Sequence, residues 1–345
     1  MHDWRRSLSE AVAGCTAEVR FAEPMAQHTT FRIGGLADAW VCVRDQQALA
    51  RVLSVCREVG VPTWLLGKGS NVLVSDQGLR GVVVCLGGEF TRIQGVKDSR
   101  IQVSETRPLE SSNPGILSVG AGATLDAVAA FAEREGLAGA EFLAGIPGTV
   151  GGGLHSNAGA FGRSLGDVVS GVTVLDPEGN EQVLTGVQLR REYRRRMIEH
   201  ELVAVEVRME LQPGKPEPAA TIREQRWAKH PKEPSAGSFF RNPENGNGRR
   251  VPAGKLIEEC GLKGKTIGGA KVSEKHANFL VNTGGARFVD VYQLAQVVKA
   301  TVEERTGILL EEEVQYLPGP DEVRRQMLEA RSQKSGKKVG VANGR

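Results

Sequence analysis

The sequence predicts an α+β protein of two or three domains, and three observations carry that expectation. Short β-rich runs are mixed with a smaller number of helical stretches along the chain. At 345 residues the chain is long enough for two or three separately buried cores. Two glycine-rich segments, Gly67-Lys68-Gly69-Ser70-Asn71 and residues 145–162, stand between apolar stretches. Glycine costs backbone entropy on folding, so clusters of it in ordered chain imply close approach of the main chain to something.

The elements follow in order. Residues 39–43 (Ala-Trp-Val-Cys-Val) read as a strand. Residues 45–59 set Leu49, Val52, Leu53 and Cys56 on one helical face, and a strand is expected at 63–66. The turn at 67–71 precedes a strand at 72–74 and a β-rich run at 80–86. A second block begins near Gly87, with strands expected at 92–96, 101–103 and 116–119 around a polar insertion at 104–115. The helix 124–135 has Thr124 as its N-cap and Leu125, Val128, Ala129 and Ala132 on one side. Strands at 168–175, 182–184 and 202–211 follow, and proline-rich 212–218 marks the expected domain boundary. The third block holds helices at 219–229, 253–260 and 291–305, and a strand at 308–317 closes it. The expected division is therefore 1–86, 87–214 and 215–319, with a basic, frayed tail at 320–345.

Composition narrows the class. The 40% hydrophobic and 25% charged content is that of a soluble globular enzyme. No run approaches the roughly 20 apolar residues of a membrane span, and the N-terminus lacks the apolar core of a signal peptide. Five cysteines with no C-x-x-C pair point to reduced thiols, a cytoplasmic location and no metal site. The net charge of +3 comes from the tail, whose seven basic and three acidic residues leave the body at −1. Basic positions are scattered and aromatics sparse, so no nucleic-acid partner is expected. A monomer or weak dimer is expected.

The glycine segments carry the chemistry. In 145–162 seven of eighteen residues are glycine, and Ile146, Val150 and Leu154 recur every four residues as if packed. A row of open backbone N–H groups ending at Thr149, a possible helix start, suits a dinucleotide pyrophosphate. The segment 67–71 is neither a P-loop nor a G-x-G-x-x-G turn; a ligand cradle and a tight hairpin turn fit it equally. Two cradles about 80 residues apart favour one long ligand touching both, and FAD has that length.

At this point the chain resembles the UDP-N-acetylenolpyruvoylglucosamine reductases. The matching strings, in order, are 28–35 (His-Thr-Thr-Phe-Arg-Ile-Gly-Gly), 66–73, 145–152, 157–162, Tyr193-Arg194, 236–243, 253–257, 267–279 and Glu313-Val314. They span about residues 20–318, in the pattern of the branch with a shortened third domain. The resemblance implies a PCMH-type FAD-binding fold of two α+β subdomains and a C-terminal α+β substrate-binding domain. It implies non-covalent FAD held by Thr30, Arg32, Gly67, Lys68, Gly69, Ser70, Asn71, Gly145, Ile146, Pro147, Gly148, Thr149 and Gly152. NADPH is implied as co-substrate, and the substrate is the enolpyruvyl ether of a UDP-sugar, bound through Lys229, Asn242 and Lys275. The product is the lactyl ether, a precursor of peptidoglycan.

The chemistry accounts for three further residues carried over by the same resemblance. Hydride addition to a vinyl carbon beside a carboxylate creates enolate charge, which a guanidinium stabilises at any working pH; the matching residue is Arg194. On pattern alone Arg194 is one of five arginines on a solvated stretch, 190–196. Ser238 matches the proton donor, a role that requires preorganisation; alone it reads as a turn serine. Glu313 matches the catalytic glutamate, which beside an anionic substrate must be protonated or bridged by a cation. It lies in the run Glu311-Glu312-Glu313, and strand alternation does not single it out. His276 reads as a structural histidine. Two departures from the family pattern stand out: Arg196 replaces a serine, and His155-Ser156 replaces Tyr-Met. Two other functions compete: an alcohol or sugar oxidase of the same fold with covalent flavin, and a non-catalytic nucleotide-binding regulator. The loop 67–71 has no histidine for covalent attachment, which argues against the first.

Overall fold

In the computed structural model, residues 3–96, 115–244 and 248–319 are described. The expected strand at 101–103, nearly all of the insertion at 104–115 and the basic tail lie outside them. The described chain divides into two compact units. The first holds the chain up to Phe21, then Ala39–Lys68 and Gly81–His230; the second holds Ala22–Asp38, Gly69–Arg80 and the chain from Pro231. The chain thus passes between units five times.

The first unit has two apolar cores. One lies under a sheet ordered Ala17–Pro24, Leu36–Val43, Leu79–Leu86, Thr63–Leu65. Helices Trp4–Val12 and Gln46–Glu58 cover it, burying Leu8, Leu49, Val52 and Cys56. Asp45 caps the second helix by accepting from the Ala48 amide at 2.7 Å. The N-terminal helix has no counterpart in the sequence reading; Leu8 is its one buried side chain.

The other core sits on an antiparallel sheet ordered Glu181–Thr185, Val169–Leu175, Val203–Pro213, Gly115–Gly120, Ile93–Val96. Along Val203–Pro213, Val207, Met209 and Leu211 point inward while Glu206, Arg208 and Glu210 point out, the period of two expected for a half-buried strand. Val207 pairs with both Val119 and Val172, so the register keeps apolar residues on one face. Helix Leu125–Arg134 packs here, capped by Thr124, whose Oγ1 accepts from the Ala127 amide at 3.1 Å.

The proline-rich stretch 212–218 is not where the contacts part. Pro213 still belongs to the strand, and helix Ala219–Lys229 joins the first unit through buried Ala219 and Ile222. The Ala219 amide donates to Glu133 at 3.0 Å and Arg223 pairs with Asp126 at 2.7 Å. The break falls after His230.

The second unit has one core. Helices Ala253–Glu259 and Phe288–Thr306 pack with a small antiparallel sheet, Thr266–Ile267, Ala270–Val272 and Leu280–Asn282. Val291, Leu294, Ala295, Val298 and Val302 line the buried face of the long helix. Phe31, Ile33 and Leu73, far earlier in the chain, are fully or nearly buried in the same core. This is why segments 22–38 and 69–80 leave the first unit.

The expected strand at 308–317 is confined to Gln315–Leu317, which pairs in parallel with Val72–Val74. Before it the chain is irregular, with Glu312 in one isolated bridge to Phe240. The amides there are used singly, so alternation says nothing about Glu311 or Glu313.

Candidate functional site

The loop 67–71 is not a hairpin. The strand before it, Thr63–Leu65, pairs in parallel with Val82–Val84, and the strand after it pairs with Gln315–Leu317. Both strand partners lie elsewhere in the chain, so the loop itself is left open. Among the described residues, none of the backbone amides of Gly67, Lys68, Gly69, Ser70 and Asn71 has a protein acceptor. Gly67 and Lys68 are exposed, but Gly69 is buried and Ser70 and Asn71 are half-buried; such amides are nearly always paired, so these three donors suit an acceptor-rich group such as a phosphate.

Both glycines are required by space. A Cβ on Gly67 would overlap Thr149 Oγ1, within the first unit. Gly69 has φ +58°, and a Cβ on it would overlap the His28 carbonyl oxygen, within the second. Thr30 fixes the second contact: its amide donates to Gly69 O at 3.2 Å and its Oγ1 donates to Ser235 O at 2.7 Å. Arg32, exposed and at φ +55°, is held in the left-handed region that non-glycine residues rarely adopt.

The segment 145–162 departs from expectation in one respect. Thr149 does begin a helix, Val150–Ser156, and its Oγ1 accepts from the Gly152 amide at 3.2 Å. The amides of Val150 and Gly151, however, donate to Ala123 O and Ala121 O, both at 2.8 Å. The row of open donors at the helix start is therefore closed by the chain itself, and the Gly152 amide is spent on the cap. The amides of Gly148 and Thr149 keep no protein acceptor among the described residues. The Gly145 amide donates to Asp126 at 2.8 Å, the Ile146 amide to Leu143 O at 3.1 Å, and Pro147 offers no N–H.

The first unit also positions Arg194. Asn157, 1% exposed and at φ +44°, donates through Nδ2 to the carbonyls of Arg191 (3.0 Å) and Glu192 (3.2 Å) and accepts from the Gly166 amide at 2.9 Å. Arg194, itself at φ +54°, donates to the carbonyls of Asn157 (3.2 Å) and Gly159 (3.1 Å) and lies over the Tyr193 ring. Left-handed backbone at two linked non-glycine residues is the kind of strain that clusters at functional sites. The two departures from the family pattern meet here: Arg196 Nη2 donates to His155 Nε2 at 3.0 Å.

Arg226 was missed by the sequence reading. Its Nε donates to Gly145 O at 3.3 Å, and among the described residues no carboxylate pairs with it. Burial, with help from the nearby Arg194 charge, pushes its guanidinium down from the usual range. The Arg194 and Arg226 guanidinium groups are thus near enough for their charges to oppose each other. The available signal was the i, i+3 spacing of Arg226 and Lys229 on one helix. Lys229 ends that helix and is exposed.

In the second unit Ser238 and Glu313 are brought together. Ser238 follows Gly237 (φ +78°) and is half-buried. The next carbonyl, Phe239 O, accepts from the Glu313 amide at 2.8 Å, and the Phe239 amide donates to Asn278 O at 2.7 Å. Asn71 Nδ2 donates to Glu313 O at 3.1 Å, while Asn71 O accepts from the Gln315 amide at 3.0 Å. The three glutamates separate by partner: Glu311 bonds exposed-side Arg241 at 3.4 Å, and Glu312 bonds Lys299 at 2.8 Å. Glu313 alone has its backbone tied to both the serine segment and the 67–71 loop.

Of the other expected residues, Asn242 Oδ1 accepts from the Ala253 amide at 2.9 Å and so caps a helix start. Lys275 is exposed and lines a pocket of about 320 Å³ with Lys232, Lys271, Ser273 and Glu274. His276 is lowered in pKa by burial, accepts from the Asn278 amide at Nδ1 and packs edge-on against Phe279. Among the described residues no group of three or more His, Cys, Asp or Glu is placed to hold a metal, and no helix is long and apolar enough to cross a membrane.

An α+β scaffold with open glycine-loop amides and glycines that admit no Cβ is that of an FAD-binding protein, and residues 37–185 match the FAD binding domain family. Residues 229–317 match the family of the C-terminal domain of UDP-N-acetylenolpyruvoylglucosamine reductase. The chain is 40% identical to the UDP-N-acetylenolpyruvoylglucosamine reductase of Heliobacterium modesticaldum, over 86% of this chain and 89% of that one. It is 41% identical to the enzyme of that name from Geotalea uraniireducens, over 89% and 96%. The crystal structure of the reductase from Thermus caldophilus superposes with a TM-score of 0.67 at 31% identity, covering 88% of this chain and all of that one. The chain belongs to the UDP-N-acetylenolpyruvoylglucosamine reductase family.

Proposed function

We propose that this protein is an NADPH- and FAD-dependent oxidoreductase that reduces the enolpyruvyl ether of UDP-N-acetylglucosamine to UDP-N-acetylmuramate, in the cytoplasm, for peptidoglycan synthesis. The observation that supports it most is the run of unpartnered amides at 67–71, fastened by Asn71 to the carbonyl of Glu313. The expected FAD-holding blocks 1–86 and 87–214 are assigned to that role with their boundary moved to His230, and the chain from Pro231 to 319 to the sugar nucleotide.

The residues present fit FAD. The amides of 67–71, and separately those of Gly148 and Thr149, are donors of the kind its pyrophosphate needs; Thr30 is bonded to Gly69, and Arg32 is assigned to the same cofactor. The chemistry that FAD supplies when bound is hydride transfer, two electrons taken from NADPH and delivered to the vinyl carbon. Arg194, clamped by two carbonyls, is preorganised to stabilise enolate charge without moving. Ser238 Oγ holds the proton for the adjacent carbon, and Glu313 is assigned to the substrate carboxyl or to the relay behind that proton. Lys229, Asn242 and Lys275 are assigned to the nucleotide diphosphate and sugar. The cap at Ala253 leaves Asn242 its Nδ2 group for such a contact.

The test is purification followed by two readings: flavin absorbance, and NADPH oxidation that depends on the enolpyruvyl sugar nucleotide. Protein that neither carries nor binds FAD overturns the reading. No observation favours the covalent-flavin oxidase or the non-catalytic regulator.

A further inference from the structure

Cys42 and Cys85 lie on neighbouring strands of the first unit's sheet, Leu36–Val43 and Leu79–Leu86. The strands run in parallel here: the Gly87 amide donates to Val43 O at 2.8 Å, just past the two cysteines. Val41, Val43, Val82 and Val84 fill the core beneath, so the alternation of strand side chains turns Cys42 and Cys85 to the other face. There the two thiols are near enough to shift each other's titration. Both are half-buried, neither is oxidised, and Cys42 Sγ lies over Gly87, where a Cβ would come within 3.0 Å. Neighbouring strands lie about 4.7–4.9 Å apart, inside the Cα span a disulfide bridges.

We propose that Cys42 and Cys85 are a redox modification site, a dithiol that a low-molecular-weight disulfide closes reversibly into an intramolecular disulfide. This goes beyond the reductase reading and does not depend on it. Neither thiol belongs to the flavin loop or to the Arg194, Ser238 and Glu313 set.

The two sulfurs have distinct parts in the exchange. The Cys85 thiol, with the charges of Arg44 and Arg20 added, lowers Cys42; burial and Glu18 oppose that and are outweighed. Cys85 is raised, first by Cys42 and then by burial, with the Lys68 charge opposing. The thiolate is the attacking species, so Cys42 leads. It attacks one sulfur of glutathione disulfide, forms a mixed disulfide and expels one glutathione thiolate. Cys85 then gives up its proton and attacks the Cys42 sulfur, expelling the second glutathione thiolate. Two protein thiols are oxidised and one glutathione disulfide is reduced to two thiols. A dithiol reductant reverses the sequence. Cys15, Cys56 and Cys260 lack this arrangement, and burial raises Cys56.

The test is peptide mapping of the FAD-loaded full chain after treatment with glutathione disulfide and alkylation of the remaining thiols. The expected result is a fall from five free thiols to three, with the tryptic peptides 33–44 and 81–92 joined and separated again by dithiothreitol. Cys85→Ser is expected to stop at a stable glutathione adduct on Cys42, and Cys42→Ser to leave Cys85 unmodified. Unlinked peptides with five free thiols, or adducts confined to Cys15, overturn the proposal. Loss of flavin with the crosslink still formed would count against the reductase reading and leave this one standing.

Discussion

Asn71 donates from Nδ2 to the carbonyl of Glu313 at 3.1 Å, and its own carbonyl accepts from the Gln315 amide at 3.0 Å. One side chain thus ties the end of a glycine loop to a residue 242 positions later. The tie extends the parallel pairing of Val72–Val74 with Gln315–Leu317 by one residue, up to the candidate catalytic glutamate. Removing it with Asn71→Ala should cost about 1 kcal/mol of stability, the usual net value of such a bond. It should lower turnover more than it lowers substrate affinity. Thermal unfolding and steady-state kinetics check this; unchanged kcat would show that Glu313 is positioned without Asn71.

Gly69→Ala should be far more damaging than its size implies. The new Cβ meets the His28 carbonyl and the residue must hold φ +58°, a strain of about 1–3 kcal/mol before any clash. Flavin affinity, measured by fluorescence quenching, should fall at least tenfold. Gly95→Ala is the control, because a Cβ there meets nothing within 4 Å and its φ is not left-handed. Equal behaviour of the two variants would remove the loop from the cofactor site.

Ser238→Ala separates the half-reactions. Flavin reduction by NADPH should keep its rate, while reoxidation by the enolpyruvyl substrate should slow by about 10²–10⁴-fold, the usual contribution of a positioned acid. Stopped-flow absorbance reads both steps. A variant that slows the NADPH step equally would place Ser238 outside the proton-transfer role.

The contact of Arg196 with His155 explains how the chain departs from the family pattern at two places at once. Arginine can only donate, so His155 accepts through Nε2. A double-mutant cycle with Arg196→Ala and His155→Ala should show coupling of about 0.5–3 kcal/mol in unfolding free energy. Strict additivity would mean the two replacements are independent.

Asp126 links the Gly145 turn to pH. Burial pushes its carboxyl up, but hydrogen bonds from Arg223 (2.7 Å) and the Gly145 amide (2.8 Å) outweigh this, and the net direction is down. A carboxyl whose folded value is depressed stabilises the native state above its unfolded value. That stabilisation is lost as pH falls through the lowered value. Asp126→Asn should therefore lower the melting temperature at pH 7 and lose less of it between pH 5 and pH 3 than the parent does. Parallel melting curves across that range would contradict the assignment.

Local signals were legible in the sequence, and long-range ones were not. Helices Gln46–Glu58 and Leu125–Arg134 follow from apolar periodicity and caps that lie within a turn of the element, and Ala219–Lys229 from its stop before Pro231. The strand expected at 308–317 shrinks to three residues because its partners, Phe239, Asn71 and Val72–Val74, come from two distant segments. The amides of Val150 and Gly151 looked open because their acceptors, Ala121 and Ala123, sit about 28 residues earlier. The linear division of the chain hid the passage of 22–38 and 69–80 into the second unit, since the core contacts of Phe31, Ile33 and Leu73 that reveal it are with residues far along the chain. Residue types at the candidate site were readable; the carbonyl of Phe239 that brings Ser238 beside Glu313 was not.

The most direct measurement is an anaerobic reoxidation. The purified protein, its flavin bleached by one equivalent of NADPH, is mixed with the enolpyruvyl ether of UDP-N-acetylglucosamine. The account predicts full return of the oxidised flavin spectrum with one molecule of lactyl ether formed per flavin. A flavin that stays bleached until oxygen is admitted, whatever the amount of sugar nucleotide, would contradict it.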